Sequence, residues 1–383
     1  MARAARGARA HRRPGRLMTG HLAAAHGSPS TTLVLPAKNF ADATRDPGLF
    51  LAELDHVRRT LLRAGLEDVT KIALIGPSAR PGHQLDYRFV QIVPGADPAF
   101  ELRGSCGHSI LAACSVAGRS GELPPLHPGQ RIRVNVLNNG DSVACTVEES
   151  HPDRERLGAS FLLRPPIPLD DLLLFGSPVT GLPHRGRSVE VTGASMGNPY
   201  VFVRAADLGV RGPEELFAAD DALFAELCAL RETAQDRLGW PSGVFPKIAA
   251  LLPLGPGRLA ARAVSVPSWH PTLALTGAVC LAAAARVPGS LPQQLADAAT
   301  TATPGDAATG TPDPAATGTP GDAATTGTLR IRTPGRWATV TARTAGADPA
   351  LTEVGVRGTT VTYLGPAPVS APAPSGLRAR RYA

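Results

Sequence analysis

Two short patterns recur in the same order along the chain, and nothing else in the sequence constrains its fold as much. Lys71-Ile-Ala-Leu-Ile is matched 176 residues later by Lys247-Ile-Ala-Ala-Leu. Cys106-Gly-His-Ser-Ile-Leu-Ala-Ala-Cys is matched at an offset of 170 by Thr276-Gly-Ala-Val-Cys-Leu-Ala-Ala-Ala. Each half thus combines a short buried strand with a later, glycine-opened, alanine-rich helix. Matched elements at a nearly constant offset mark an internal duplication, so two similar halves are expected. The N-termini of the two helices then face each other across a cleft. Each presents unsatisfied N–H groups and the positive end of its dipole, together a receptor for an anion such as a carboxylate.

The rest of the chain fits short elements joined by many turns. Strands are expected over 31–37, 86–93, 131–136, 142–147, 188–192, 200–204, 338–342 and 359–363. Turns are expected at Asn138-Asn139-Gly140 and Gly197-Asn198-Pro199. Leu49, Leu51, Leu54, Val57, Leu61 and Leu62 lie near helical spacing over 46–65, and Leu223, Leu227, Leu230, Ala234 and Leu238 do so over 214–238. Residues 296–328 repeat Pro-Gly-Asp-Ala-Ala-Thr at Pro304 and Pro320, with no aromatic residue, Leu, Ile or Val between. Such a stretch has no apolar area to bury and is expected to be a disordered insertion. The expected divisions are a disordered basic arm over 1–26, an N-terminal lobe over 27–185, a C-terminal lobe over 186–295 and 329–365, and a disordered tail over 366–383.

The net charge of +7 suggests a nucleic-acid partner only until it is located. Six Arg lie within residues 1–17 and three within 375–383, with no acid in either stretch, so the rest carries a formal −2. With aromatics at 4%, a basic, base-stacking face is not expected. Five scattered cysteines form no CxxC or Cys/His cluster of metal-ligand spacing, so no metal is expected. The apolar run from Pro271 to Ala285 is too short to span a bilayer, and the Arg-rich start lacks the apolar stretch of a secretory signal. A cytoplasmic protein with reduced thiols is expected, and Met18 is an alternative start.

Cys106 stands at the N-terminal end of its helix, a position that favours thiolate. Cys114 and Cys280 fall inside their helices and read as core. Of 39 basic residues only Lys38, Lys71 and Lys247 are lysine. A chain that writes Arg almost everywhere keeps Lys where a cation must give up its proton, which points to Lys71. Lys38 reads as surface; Lys247 reads equally well as an anion contact or a strand cap. Where the first helix opens with Cys106 the second has Thr276, so a symmetric two-thiol racemase is disfavoured. One thiol and one amine suit a proton shift between two carbons of one molecule. His83, His108, His270 and Asn198 are further candidate substrate contacts, each also readable as an ordinary loop, cap or turn residue.

At these residues the sequence resembles the 2-methylaconitate cis–trans isomerase (PrpF) family, of the diaminopimelate-epimerase-like fold. The resemblance runs from about Gly27 to Gly365. It is carried by Lys71-Ile-Ala-Leu-Ile, Gly104-Ser-Cys-Gly-His-Ser, Gly197-Asn-Pro-Tyr-Val-Phe-Val-Arg-Ala-Ala-Asp-Leu-Gly and Leu275-Thr-Gly-Ala-Val-Cys-Leu-Ala-Ala-Ala-Ala-Arg-Val-Pro-Gly. It implies an α+β fold of two pseudo-symmetric lobes, each a curved, mostly antiparallel sheet around a central helix, with the active site in the cleft between. It implies a cofactor-independent isomerase of small unsaturated carboxylates, with Lys71 and Cys106 as catalytic pair and a homodimer as a possible assembly. Ser30, Gly107, His108, Asn198, His270, Thr276 and Gly277 fall at the expected substrate-binding positions. The chain departs from the family's substrate loops: Gly27-Ser-Pro-Ser-Thr-Thr replaces Gly-Gly-Thr-Ser-Lys-Gly, Trp269-His-Pro-Thr replaces Lys-Pro-His-Arg, and Thr333-Pro-Gly-Arg replaces His-Pro-Ser-Gly. An altered substrate is therefore expected. The alternatives are a racemase or epimerase of the same fold, and a catalytically degenerate paralogue that binds a carboxylate or a partner protein.

Overall fold

The structure, a computed structural model, describes residues 17–93, 95, 100–218, 221–241, 243–265, 268–298 and 324–370. The chain opens with β1 (Leu17–Ala25), β2 (Thr32–Pro36), α1 (Pro47–Arg63), β3 (Lys71–Pro77) and β4 (Leu85–Ile92). It continues through β5 (Phe100–Glu101), α2 (Gly107–Ser120), β6 (Arg131–Val136), β7 (Ser142–Ser150) and β8 (Arg154–Pro168). Next come β9 (Thr180–His184), β10 (Arg187–Met196), β11 (Asn198–Arg204), α3 (Pro213–Ala218), α4 (Asp221–Leu238), β12 (Lys247–Gly255) and β13 (Arg258–Ser265). The last elements are β14 (Ser268–Trp269), α5 (Leu275–Ala284), α6 (Leu291–Asp297), β15 (Thr325–Thr333), β16 (Arg336–Ala345) and β17 (Ala350–Ser370).

One order of strand pairing occurs twice. β1 and β2 pair antiparallel, β2 and β3 parallel across α1, and β3 and β4 antiparallel. β4 then pairs antiparallel with β5 and parallel with β6, and β6, β7 and β8 follow as antiparallel neighbours. In the second half β10 and β11 pair antiparallel, β11 and β12 parallel, and β12 and β13 antiparallel. β13 pairs antiparallel with β14 and parallel with β15, before antiparallel β15, β16 and β17. β17 pairs with both β8 and β1, which joins the two sets into one 17-stranded sheet.

The elements form for ordinary reasons. The Asp46 carboxylate accepts from Leu49 N–H at 3.0 Å, and Pro47 follows it, so α1 starts with a capped first turn. Phe50, Leu54, Val57 and Leu61 make its buried stripe. That stripe packs on Leu33, Leu35, Ile72 and Leu74, alternate residues of β2 and β3. The intervening Val34, Ala73 and Ile75 face the opposite way, into the core that holds α2. Helices α2 and α5 are apolar or small on nearly every side. Residues Gly107–Ala117 and the whole of α5 are buried, as expected for helices surrounded by protein.

Several expectations need correction. Leu17–Ala25, expected within a disordered arm, is a strand paired with β17 and β2. Its longer pairing is with β17, more than 300 positions away, and only His21, Leu22 and Ala23 pair with nearby β2, so no local pattern marks it. Likewise β17 extends to Ser370, into the expected tail, and Ala296 and Asp297 belong to α6 while Thr325–Thr328 belong to β15, within the expected insertion. Residues 1–16, 299–323 and 371–383 lie outside the described residues. The helix expected over 214–238 is described as α3 (Pro213–Ala218) and α4 (Asp221–Leu238), and residues 219–220 lie outside the described residues. Asn198 and Pro199 are not turn residues: Gly197 alone, at φ 74°, makes the reversal, and Asn198 already pairs with Met196 in β11.

Candidate functional site

Lys71 is the first residue of β3, directly opposite Thr32 of β2. It shares the parity of Ala73 and Ile75, so its side chain points to the α2 side of the sheet. It is 5% exposed, and its ammonium donates to Ser28 Oγ at 2.7 Å. Ser28 in turn donates to the Ser30 carbonyl at 2.7 Å. Lys247 repeats the placement. It opens β12 opposite Tyr200 of β11, and Ala249 and Leu251 put its face towards the same core.

Cys106 is the N-cap residue of α2, with extended backbone (φ −135°, ψ 107°), and its carbonyl accepts the first helical hydrogen bond from Ile110 N–H at 2.9 Å. Its side chain makes no capping bond. Burial pushes the thiol up, but the Lys71 ammonium, the Ser109 hydroxyl and N–H, and the Lys247 ammonium outweigh it. The thiol is held below its ordinary value. Ser109 is itself fully buried and shares a 2.9 Å hydrogen bond with the Thr32 hydroxyl, which ties α2 to β2.

The two helix starts touch. A Cβ on Gly107 would lie 2.4 Å from Leu275 Cδ2 and 2.9 Å from Leu275 Cβ, so only glycine admits this approach of α2 to α5. Gly277 plays the same part against Tyr200, whose hydroxyl would meet a Cβ there at 2.5 Å. Asn198 fastens the junction. Its Nδ2 donates to the Ser105 carbonyl and to Thr276 Oγ1, both at 3.1 Å, and its Oδ1 accepts from Ser105 N–H at 3.4 Å. Both ends of this buried amide are used on protein, so Asn198 and Thr276 hold the helix starts together. Beside them Gly104, Asn198, Trp240 and Phe245 line a cavity of about 490 Å³.

His108 and His270 are stacked, with centroids 6.4 Å apart and planes at 19°. Burial brings the His108 imidazole down to about 3, helped by the charges of Lys71, Arg336, His26 and Lys247. Burial likewise takes His270 well below its usual value, with His108 and the two lysines adding to it. Both rings are neutral at pH 7. His270 Nδ1 accepts from Thr272 N–H at 3.1 Å, so its proton sits on Nε2. Burial lowers Lys247 to about 8, against the pull of Cys106 and with the push of Lys71.

The structure thus brings together Lys71, Cys106, Gly107, His108, Asn198, His270, Thr276 and Gly277. Ser30 faces elsewhere: its hydroxyl accepts from Thr70 N–H at 3.0 Å and lies 2.9 Å from the Asp68 carbonyl, fastening the loop beneath β3. Ser28 is the serine that meets Lys71. His83 is tied to Ser142 at 2.8 Å and lines a separate cavity with Arg80 and Arg133. Sequence reasoning missed Ser28, Ser109 and Arg336. Ser109 had a signal, a hydroxyl residue three positions after a helix-capping thiol. Arg336 had one too, since it ends the Thr333-Pro-Gly-Arg segment that stands at a substrate loop of the family the sequence resembles.

Cations dominate the site. Among the described residues Lys71, Lys247 and Arg336 have no carboxylate within ion-pair distance, whereas the surface Lys38 has Glu122 at 3.7 Å. Cations left without a counter-charge at two helix N-termini invite an anionic guest.

No protein-family model matches the chain. A 4-oxalomesaconate tautomerase of Pseudomonas putida is 28% identical over 250 residues, which are 61% of this chain and 69% of that protein. A 3-methylitaconate isomerase of Eubacterium barkeri is 24% identical over 285 residues, 61% of this chain and 72% of that protein. The crystal structure of a methylitaconate-delta-isomerase has a similar fold, with a TM-score of 0.62 at 19% identity over 94% of this chain and 97% of that one. The chain is thus similar, at low identity, to PrpF-like isomerases, and shares the fold of one of them. Lys71 and Cys106, the two positions that carried the resemblance, act on each other: among the influences that favour the Cys106 thiolate, the Lys71 charge comes first. No helix among the described residues is long and apolar enough to cross a membrane.

Proposed function

We propose that the chain isomerises a small unsaturated carboxylate by proton transfer, with Cys106 and Lys71 as the catalytic pair. The observation that carries this reading is a half-buried thiol biased towards thiolate by an ammonium that has no carboxylate partner among the described residues, at the meeting of two helix N-termini. A thiolate beside an ammonium supplies a base and an acid within one site.

The substrate needs an acidic C–H next to a C=C conjugated with a carboxylate. One member of the pair takes that proton, and the electron pair moves through the conjugated system onto the carboxylate. The helix N–H groups and nearby cations stabilise this enolate-like charge as it forms. The other member, or the same one after bond rotation, returns a proton at the other end of the system, and the double bond has moved or rotated. Proton exchange between sulfur and nitrogen restores the pair. Neutral His108 and His270 line the substrate's path as uncharged hydrogen-bonding groups. The repeated strand order supports two related halves meeting at this point, with the substrate between them, and a reducing, cytoplasmic setting would keep the five unpaired thiols intact.

Turnover of 3-methylitaconate, 4-oxalomesaconate and 2-methylaconitate, followed by proton NMR for double-bond movement, tests this reading. Conversion of at least one by the native protein, lost in Cys106→Ala and in Lys71→Met while both variants stay folded, is expected. A Cys106→Ala protein as active as the native one would overturn it.

A further inference from the structure

We infer that the cavity beside the helix junction receives an apolar, ring-sized group of the substrate, so that the chain acts on an unsaturated carboxylate carrying an aryl or comparably bulky hydrocarbon substituent; this rests on the isomerase reading above. The cavity measures about 490 Å³, within the range of about 300–1,000 Å³ usual for small-molecule sites. Its walls come from separate parts of the chain. Leu163 and Ile167 stand on β8, Met196 and Asn198 flank the Gly197 reversal between β10 and β11, and Trp240 and Phe245 belong to the segment from α4 to β12.

The cavity adjoins the catalytic pair through its walls. Gly104 lies two residues before Cys106, and Phe245 two before Lys247. A Cβ on Gly104 would lie 2.9 Å from Phe245 Cζ, so the segments leading to the thiol and to the second amine touch. Asn198 is shared: it lines the cavity while its amide holds Ser105 and Thr276. The aromatic wall is fixed from α4. Trp240 N–H donates to the Gln235 carbonyl at 3.1 Å, Gln235 Nε2 donates to the Phe245 carbonyl at 2.6 Å, and Arg231 Nη1 donates to the Gly243 carbonyl at 2.7 Å. Gln235 and Arg231 are both buried, so this segment is anchored on the inside of the protein.

The lining sorts the two ends of a substrate. Arg103 is already paired with Glu101 at 2.7 Å, and Asp141, the other charged residue on the wall, repels an anion. Lys71 and Lys247 are not part of the lining. A carboxylate is therefore drawn to the lysines and helix N-termini, and the part that extends past Asn198 into the cavity is hydrocarbon. Trp240 and Phe245 offer it ring faces and edges.

The test reads protection of Cys106 from alkylation by iodoacetamide, using two probes that differ in one substituent. Mesaconate carries a methyl on the fumarate skeleton and phenylfumarate a phenyl. In the native protein phenylfumarate should reach half-protection at a concentration lower by about ten-fold or more, the scale of burying a ring in place of a methyl. Trp240→Ala, which removes a wall, and Ile167→Trp, which fills the space, should each erase most of that advantage and leave mesaconate nearly unchanged. Equal protection by the two probes in the native protein, or equal weakening of both in the variants, overturns the inference alone. So does phenylfumarate that raises the Tm without protecting Cys106, because the cavity is then a site apart from the chemistry. No protection and no rise in Tm with either probe overturns the inference together with the carboxylate-isomerase reading.

Discussion

Lys71 and Lys247 open β3 and β12, equivalent strands of a repeated pairing order, and both point to the side of the sheet that holds α2 and α5. Two of the three lysines in the chain thus hold equivalent places in the repeated pairing order, and both charges favour the same thiolate.

Lys247 sets an upper limit to the working pH. Burial brings it to about 8, so its positive charge is present below that pH and lost above it. Cys106 is held below its ordinary value and gains thiolate earlier than a free cysteine. Because this charge favours both the Cys106 thiolate and an anionic substrate, kcat/KM should rise as the thiol ionises and fall above about pH 8. Lys247→Arg keeps the charge and should remove the falling limb; a pH–rate profile of native and variant protein checks it.

His108 makes the fold acid-sensitive. Its folded value is about 3 against 6.5 ordinarily. Between these values the unfolded chain binds a proton that the native one refuses, so stability is lost as pH falls below 6.5. The slope is about 1.4 kcal/mol per pH unit for such a group, and His270 adds to it in the same direction. Chemical denaturation at pH 7 and pH 5 should show the loss, and His108→Asn should reduce it.

Gly107 should tolerate no side chain. Gly107→Ala drives a methyl into Leu275 at 2.4–3.0 Å, which overpacking places at about 1–3 kcal/mol. The two helix starts move apart, so activity should fall further than stability. Leu275→Ala in the same chain should recover part of the stability, measured by urea unfolding.

Asn198→Ala leaves the Ser105 carbonyl and N–H and the Thr276 hydroxyl without their partner. The expected cost is about 1–3 kcal/mol. Because Ser105 precedes Cys106, the alkylation rate of Cys106 should change as well, which iodoacetamide labelling at fixed pH detects.

The duplicated patterns made much of the fold legible. Lys71 and Lys247 do open matching strands, and Gly107 and Gly277 do sit at the starts of the matching helices. Local signals also placed α1, through Asp46, Pro47 and its apolar spacing. What escaped notice depends on distant partners. β1 has a weak pattern of its own and is made a strand by residues near 361–370. Asn198 read as a turn residue because Gly-Asn-Pro is turn chemistry, yet its amide is spent on Ser105 and Thr276, residues about 80–90 positions away. Ser28 and Ser30 were indistinguishable by sequence, since only the path of the turn decides which hydroxyl reaches Lys71. Arg336 reaches His26 across 310 positions, and no local motif encodes that contact.

The central claim is proton transfer at carbon by Cys106 and Lys71, and solvent-deuterium exchange measures it most directly. The native protein in D2O should place deuterium at an allylic carbon of a bound unsaturated dicarboxylate, seen as loss of one C–H signal by proton NMR. Exchange should vanish in Cys106→Ala and in Lys71→Met, each shown folded by circular dichroism. Exchange that persists in both variants, or tight binding of these dicarboxylates by the native protein with no exchange into any of them, would contradict it.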